Sequence, residues 1–131
     1  MIDLKFNLPN EKSMKERLAR GYRARRNFLV AELFSSLVYI TPVKTGKARG
    51  GWQISIGSPP SSDVERLDQT GERTVLSELT NLRGASPFSN VYISNLTPYI
   101  NSLEDGSSTQ APTGIVKVAL PAFRARFGDV T

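Results

Sequence analysis

Between Glu11 and Ile40 the side chains Met14, Leu18, Tyr22, Leu29, Leu33, Leu37 and Ile40 recur at steps of three, four or seven. That spacing lays them along one side of a helix. No other feature constrains the fold as strongly. Arg25-Arg26 interrupts the stripe in its middle, and the two halves differ in character. The first half is highly charged and the second is mostly apolar. The pattern predicts one long helix whose second half is buried and whose first half projects. Thr41-Pro42 ends it, because a residue before proline avoids the helical region. The apolar run from Phe28 to Ile40 is broken by Glu32, Ser35 and Ser36. It is too short and too polar to span a bilayer, so no membrane contact is expected. Asp3 and Lys5 break up any apolar core of a signal peptide. The Asn95-Leu96-Thr97 sequon then has no secretory context.

The remaining segments favour a mixed fold. Ile2, Leu4, Phe6 and Leu8 alternate with Asp3, Lys5 and Asn7, the period of a half-buried strand. Pro9-Asn10 ends it. Residues 43–51 read as a basic, glycine-rich loop. Trp52, Ile54 and Ile56 alternate with Gln53 and Ser55, which predicts a second strand. Gly57 to Ser62 carries turn residues. A second helical region spans about residues 63–82, with Gly71 as a break, an apolar stripe at Val75, Leu79 and Leu82, and Gly84 past its end. Val91 to Ser94 reads as a third strand. Pro98 to Leu103 reads as one or two helical turns, and Glu104 to Gly114 as a polar loop. Ile115 to Phe127 is either a strand followed by a helix starting at Pro121, or one helix carrying Pro121 inside it. The helix is the reading adopted. The expected fold is α+β and a single domain over residues 1–131. The long amphipathic N-terminal helix packs on a small antiparallel sheet of strands near 2–8, 51–57 and 89–95, with a C-terminal helix.

Composition narrows the chemistry. Among 131 residues there is no cysteine and no histidine. The first absence removes disulfides, thiolate metal sites and a cysteine nucleophile. The second removes the usual general base near neutral pH and the commonest metal ligand. Neither an enzyme nor a cofactor is expected. Thr45-Gly46-Lys47 falls short of a phosphate-binding P-loop, since Thr41 stands where the first glycine belongs and Ala48 where Ser or Thr belongs. A flexible contact loop is the simpler reading. The pairs Glu104-Asp105, Asp63 with Glu65, and Glu72 with Glu78 read as ordinary surface acids. No Ser-x-x-Lys or Gly-x-Ser-x-Gly occurs. Trp52 reads first as a core residue and second as an anchor for a neighbouring subunit. Formal charge is +5. It concentrates in Lys12, Lys15, Arg17, Arg20, Arg23, Arg25 and Arg26, opposed locally by Glu11 and Glu16. Of these, Lys15, Arg17, Arg20, Arg23, Arg25 and Arg26 are the candidates for facing DNA or a partner protein. A solvated helix face is the competing reading. The residues spread around the helix, and no groove-reading motif is present.

Three stretches in order carry a resemblance. The first runs Thr41-Pro42-Val43-Lys44-Thr45-Gly46-Lys47-Ala48-Arg49-Gly50-Gly51-Trp52-Gln53-Ile54-Ser55-Ile56-Gly57, directly after the amphipathic helix. The second is Val91-Tyr92-Ile93-Ser94-Asn95, then Pro98-Tyr99 and Leu103-Glu104. The third is Gly106-Ser107, then Gln110-Ala111-Pro112 and Gly114-Ile115-Val116. Together they resemble the tail-completion and neck proteins of tailed bacteriophages, similar to the minor tail protein Z group of lambda-like phages. The family usually has Thr-Pro-Val-Asp-Thr-Gly-Arg where this chain has Lys44 and Lys47. Asp105 stands where the family often steps from Glu straight to Gly, and Pro121 falls in the family's C-terminal helix.

The resemblance implies a virion protein, assembled in the host cytoplasm, that forms a homo-oligomeric ring, hexameric in the family. The ring completes the tail or joins it to the head, in contact with other tail and neck proteins. No cofactor, metal or catalysis is implied. A ring needs one subunit surface to complement a different one. The candidates for those contacts are Lys44, Thr45, Gly46, Lys47, Arg49 and Trp52 in the first loop. In the second they are Glu104, Gly106, Gln110, Ala111 and Pro112. A tail terminator or a head-side connector of the same neck is the nearest alternative. A non-specific nucleic-acid-binding module is the alternative of another class.

Overall fold

The computed structural model describes residues 11–129. The element order is α1 (Glu11–Ile40), α2 (Lys47–Gly50), β1 (Trp52–Ile56), α3 (Glu72–Thr80), β2 (Val91–Asn95), α4 (Ile100–Glu104) and α5 (Val116–Phe127). The fold is α+β, with a long N-terminal helix, a two-stranded antiparallel sheet and a C-terminal helix. The strand expected over residues 2–8 lies outside the described residues. Among those described the sheet has two strands where three were expected.

At about 1.5 Å per residue, the 30 residues of α1 make it roughly 45 Å long. That exceeds what so small a core can cover, and its two halves part accordingly. Leu33, Phe34, Leu37 and Val38 are buried, whereas Leu18 is 71% exposed and Met14 and Tyr22 are about half exposed. The buried face is wider than the expected stripe. Phe34 and Val38 are both fully buried because the helix is gripped from more than one side, with α3, α5 and β1 all packed against it. Trp52 and Ile54 from β1, Leu82, Ala111, Ile115, Ala119 and Phe123 complete the core.

Two local expectations need correction. Residues 43–51 contain the short helix α2 and are not one open loop. Residues 63–71 are not helical. Gly71, at φ 86°, precedes the helix and stands at its start. The C-terminal segment is a single helix that carries Pro121 inside it. Pro121 sits on the exposed side, where water can satisfy the carbonyl left without its amide partner.

β1 and β2 pair with Trp52 opposite Asn95, Ile54 opposite Ile93 and Ile56 opposite Val91. The even-numbered residues of β1 turn their backbone groups away from β2. The Ile54 amide donates to Glu78 Oε1 at 2.8 Å, and the Trp52 carbonyl accepts from Arg66 Nη2 at 2.9 Å. Antiparallel strands alternate between bonded and non-bonded pairs. Gln53–Ser94 and Ser55–Tyr92 are therefore the bonded ones, and the Gly57 amide continues the series to the Asn90 carbonyl at 2.8 Å.

The division of α1 has a measurable consequence. Phe34→Ala should cost about 3–5 kcal/mol, the usual range for deleting a buried aromatic side chain. Leu18→Ala on the projecting half should stay within about 0.5 kcal/mol. Urea unfolding followed by circular dichroism checks both, and equal losses would contradict a half-buried helix.

Candidate functional site

The two candidate contact loops meet within one subunit. Gln110 bridges them like a strand partner: its Oε1 accepts the Val43 amide at 2.9 Å and its Nε2 donates to the Val43 carbonyl at 3.0 Å. Sequence reasoning named both loops but had no means of pairing them, since 67 positions separate the two residues.

In the first loop Arg49 and Trp52 turn inward. The Thr41 hydroxyl donates to the Leu37 carbonyl at 2.6 Å and accepts Trp52 Nε1 at 2.7 Å. Trp52 is buried, which settles it as a core residue and not an exposed anchor. Arg49 closes the C-terminal end of α1. Its Nε and Nη2 donate to the Thr41 carbonyl, Nη2 also reaches Tyr39, and Nη1 reaches the Gln69 carbonyl at 2.9 Å. A guanidinium there satisfies carbonyls that have no partner in the helix and suits the negative end of its dipole. Gly46, at φ 88°, sits so close to residue 68 that a Cβ would lie 2.7 Å from the Asp68 carbonyl carbon. Lys44 and Thr45 are exposed and Lys47 is half-buried.

In the second loop Glu104 is a helix cap. Its Oε2 accepts the Ile115 and Val116 amides at 2.9 and 2.8 Å, and its Oε1 accepts the Lys117 amide at 2.9 Å. Three amides at the start of α5 thus converge on one carboxylate, where negative charge is favoured. Gly106, at φ 89°, packs against the Pro112 carbonyl. Ala111 is buried, and Gln110 and Pro112 are exposed. Of the eleven candidate contact residues, the outward-facing ones are Lys44, Thr45, Gln110 and Pro112.

The acids read as ordinary surface groups need revision. Glu78 is buried and pairs with Arg66 at 3.1 Å. Arg66 also donates to the Gly50 carbonyl. With Asn81, which donates to the Ile54 carbonyl at 3.3 Å, the pair covers the outer edge of β1. Asp68 caps α3, accepting the Gly71 amide at 3.0 Å, the Thr74 amide at 2.8 Å and the Thr74 hydroxyl at 2.7 Å. One sequence signal pointed to Glu78: it lies three residues after Val75 and four before Leu82, within the stripe that faces the core.

The basic residues do not form a single patch. Lys15, Arg17, Arg20 and Arg25 are exposed, while Arg23 and Arg26 are half-buried. Arg26 donates to the Ser86 carbonyl and to Asn27 Oδ1. Arg25 lies 5.9 Å from the ring centres of Phe28 and Phe127, within reach of a cation–π attraction. Among the described residues no group of three or more His, Cys, Asp or Glu is placed to hold a metal ion, and no helix is long and apolar enough to cross a membrane.

Burial by itself would raise the Asp68 and Glu104 carboxyls. For Asp68 the hydrogen bonds from Thr74, Gly71 and Thr70 outweigh it. For Glu104 the amides of Val116, Lys117 and Ile115, with the Lys117 charge, do the same. Both groups are held below their ordinary values of 3.8 and 4.5. A depressed carboxylate stabilises the fold fully above its unfolded value, and that contribution disappears as pH falls through the folded value. The stability gap between the wild type and Glu104→Gln should therefore be largest at neutral pH and shrink as pH drops below about 4.5. Urea midpoints across an acid series check this. A gap independent of pH would rule out the cap as its source. Arg66→Met alone should cost roughly 3–5 kcal/mol, because it strands a buried carboxylate, and adding Glu78→Met should recover part of the loss.

Comparison with protein-family models, with curated proteins and with solved structures returns no match for this chain.

Proposed function

We propose that the chain is a structural subunit of a tailed-bacteriophage virion, of the tail-completion or head–tail joining group, acting through contacts in a hexameric homo-oligomeric ring. The observation that carries this reading is the joining of the two motif-bearing loops. The Thr-Pro-Val segment and the Gln-Ala-Pro segment, both part of the resemblance, are locked to each other by Gln110 and Val43. Arg49 and Glu104 brace the helix ends behind them. The result is a braced face that presents Lys44, Thr45 and Pro112 outward. A preformed face loses little freedom on docking, which suits repeated assembly of identical subunits. The projecting half of α1 adds a second face at a distance, so the two surfaces of a head-to-tail contact need not overlap.

The exposed Lys15, Arg17, Arg20 and Arg25 favour a second reading, non-specific contact with nucleic acid. In a ring the two readings combine if these side chains face a lumen that holds DNA.

Three experiments decide between them. Cryo-electron microscopy of intact particles of the encoding phage should place the chain in a cyclic ring at the tail or the head–tail junction. Absence from the particle would sink the proposal. Lys44→Glu with Pro112→Glu should leave subunit stability within about 0.5 kcal/mol per site while blocking incorporation. For the nucleic-acid reading, Arg17→Gln with Arg20→Gln should make the salt dependence of DNA affinity shallower, by about 0.9 in log–log slope for each phosphate contact removed.

A further inference from the structure

Two exposed apolar patches, one ringed by cations and one by acids, stand at opposite ends of α1. The first is on its projecting half. Met14, Leu18 and Tyr22 follow at four-residue steps on one face, and Phe88 packs on Tyr22 with ring centres 5.4 Å apart. Leu18 is 71% exposed and Phe88 74%. Lys15, three residues before Leu18, and Arg25, three after Tyr22, border the face. Residues 12–26 hold seven cations against the single acid Glu16, a surplus of six in a chain of net charge +5. The rest of the chain is therefore acidic by one charge.

The second patch is built from α3 and the segment before it. Val64, Leu67 and Leu76 are exposed. Arg73 Nη2 on α3 donates to the Leu67 carbonyl at 2.6 Å, which holds the segment to the helix one turn from Leu76. Residues 63–78 carry five acids against Arg66 and Arg73. Asp68 and Glu78 are engaged inside the fold. Glu65 and Glu72 are exposed, and among the described residues no group bonds either carboxylate. Glu65 stands at φ 57°, the one described residue other than glycine in the left-handed region. Strain of that kind concentrates at sites of contact and function.

The two patches do not meet within one subunit. Gly71 packs on Val38 and Tyr39, and Arg49 bonds the carbonyls of both Tyr39 and Gln69. The second patch thus sits at the C-terminal end of α1. Leu18 lies 20 residues from Val38 along that helix, or about 30 Å. We infer that the projecting half of α1 docks on the patch of Leu67 and Leu76 of a second copy of the chain, leucine against leucine and cations against Glu65 and Glu72. A second copy is the occupant because this one chain carries both halves of the match, in apolar character and in charge, at a separation that only another subunit bridges. Opposite charges across a contact steer the encounter and fix its register. Arg20, two positions from both Leu18 and Tyr22, falls on the far side of the helix, which leaves that side to nucleic acid. Gly46 abuts Asp68, so the acidic patch continues the face that presents Lys44. Docking of one end on the other is a head-to-tail contact, the kind that closes into a ring. The inference rests on the ring reading above and names the surfaces that link neighbours.

Sedimentation velocity of the full-length protein across a concentration series tests it. The wild type should associate as concentration rises, and added salt should weaken the association. Leu18→Asp sets an acid against the acidic patch, and Leu76→Lys sets a cation against the basic arm. Each should weaken association by about tenfold or more. Both leucines are exposed, so circular dichroism should show each variant folded. An equimolar mixture of the two variants should associate again, because each substituted surface then meets its opposite and each unsubstituted surface keeps its own. A wild type that stays monomeric at every concentration would overturn the inference. So would a variant that associates like the wild type, or a mixture of folded variants that stays apart. Association that appears only when a DNA duplex is added would assign the arm to nucleic acid and also overturn it. Each of these outcomes leaves the ring reading to be judged by the particle image. A chain missing from the particle would sink the ring reading whatever the sedimentation data show.

Discussion

The hydroxyl of Thr41 holds the architecture together. It closes the last turn of α1 on the Leu37 carbonyl and at the same time receives the indole N–H of Trp52. Pro42 forces the chain out of the helix at this point. Without a fixed exit, β1 would have no defined position over Phe34 and Val38. The Trp52 bond sets that position, and a buried indole donor left without a partner would cost about 1–3 kcal/mol. Arg49 then returns from α2 to the same turn, so the helix end, the short helix and the strand share one polar joint.

Buried and half-buried polar groups recur as joints throughout the molecule. Asp68 begins α3, Glu104 begins α5, and Glu78 with Arg66 finishes an open strand edge. Among the described residues, a core of eleven buried hydrophobic side chains leaves many backbone groups near the surface of the fold. Each of these must find a partner or remain in contact with water. In a chain without disulfides such joints supply orientation that a larger core would otherwise provide. They also explain why charged residues in conspicuous loops turn inward and leave only a few side chains to form an outer face.

Several elements were legible in the residues because their cause is local. The three- and four-residue spacing from Met14 to Ile40, the stop at Thr41-Pro42, the alternation from Trp52 to Ile56 and the strand formers from Val91 each act within a few positions. The width of the buried face on α1 was not legible. Phe34 and Val38 are buried because α3, α5 and β1 close on the helix, and those neighbours come from distant positions. Residues 43–51 contain α2 where a loop was expected, and the inward turn of some of the candidate side chains was not legible. Arg49 and Glu104 are charged and read as loop residues in the sequence, which suggests exposure, yet both sit in short helices and close the ends of longer ones.

The sequence alone determined the long helix, its stop, the two strands and the absence of thiol and imidazole chemistry, because propensity, periodicity and composition need no long-range partner. The tertiary structure decided which half of α1 is buried on how many sides. It decided that Gln110 and Val43 join two loops 67 positions apart. It also decided that one edge of the sheet is covered while the other stays open among the described residues. Those outcomes depend on which backbone groups meet which side chains in space, and no local pattern encodes that meeting.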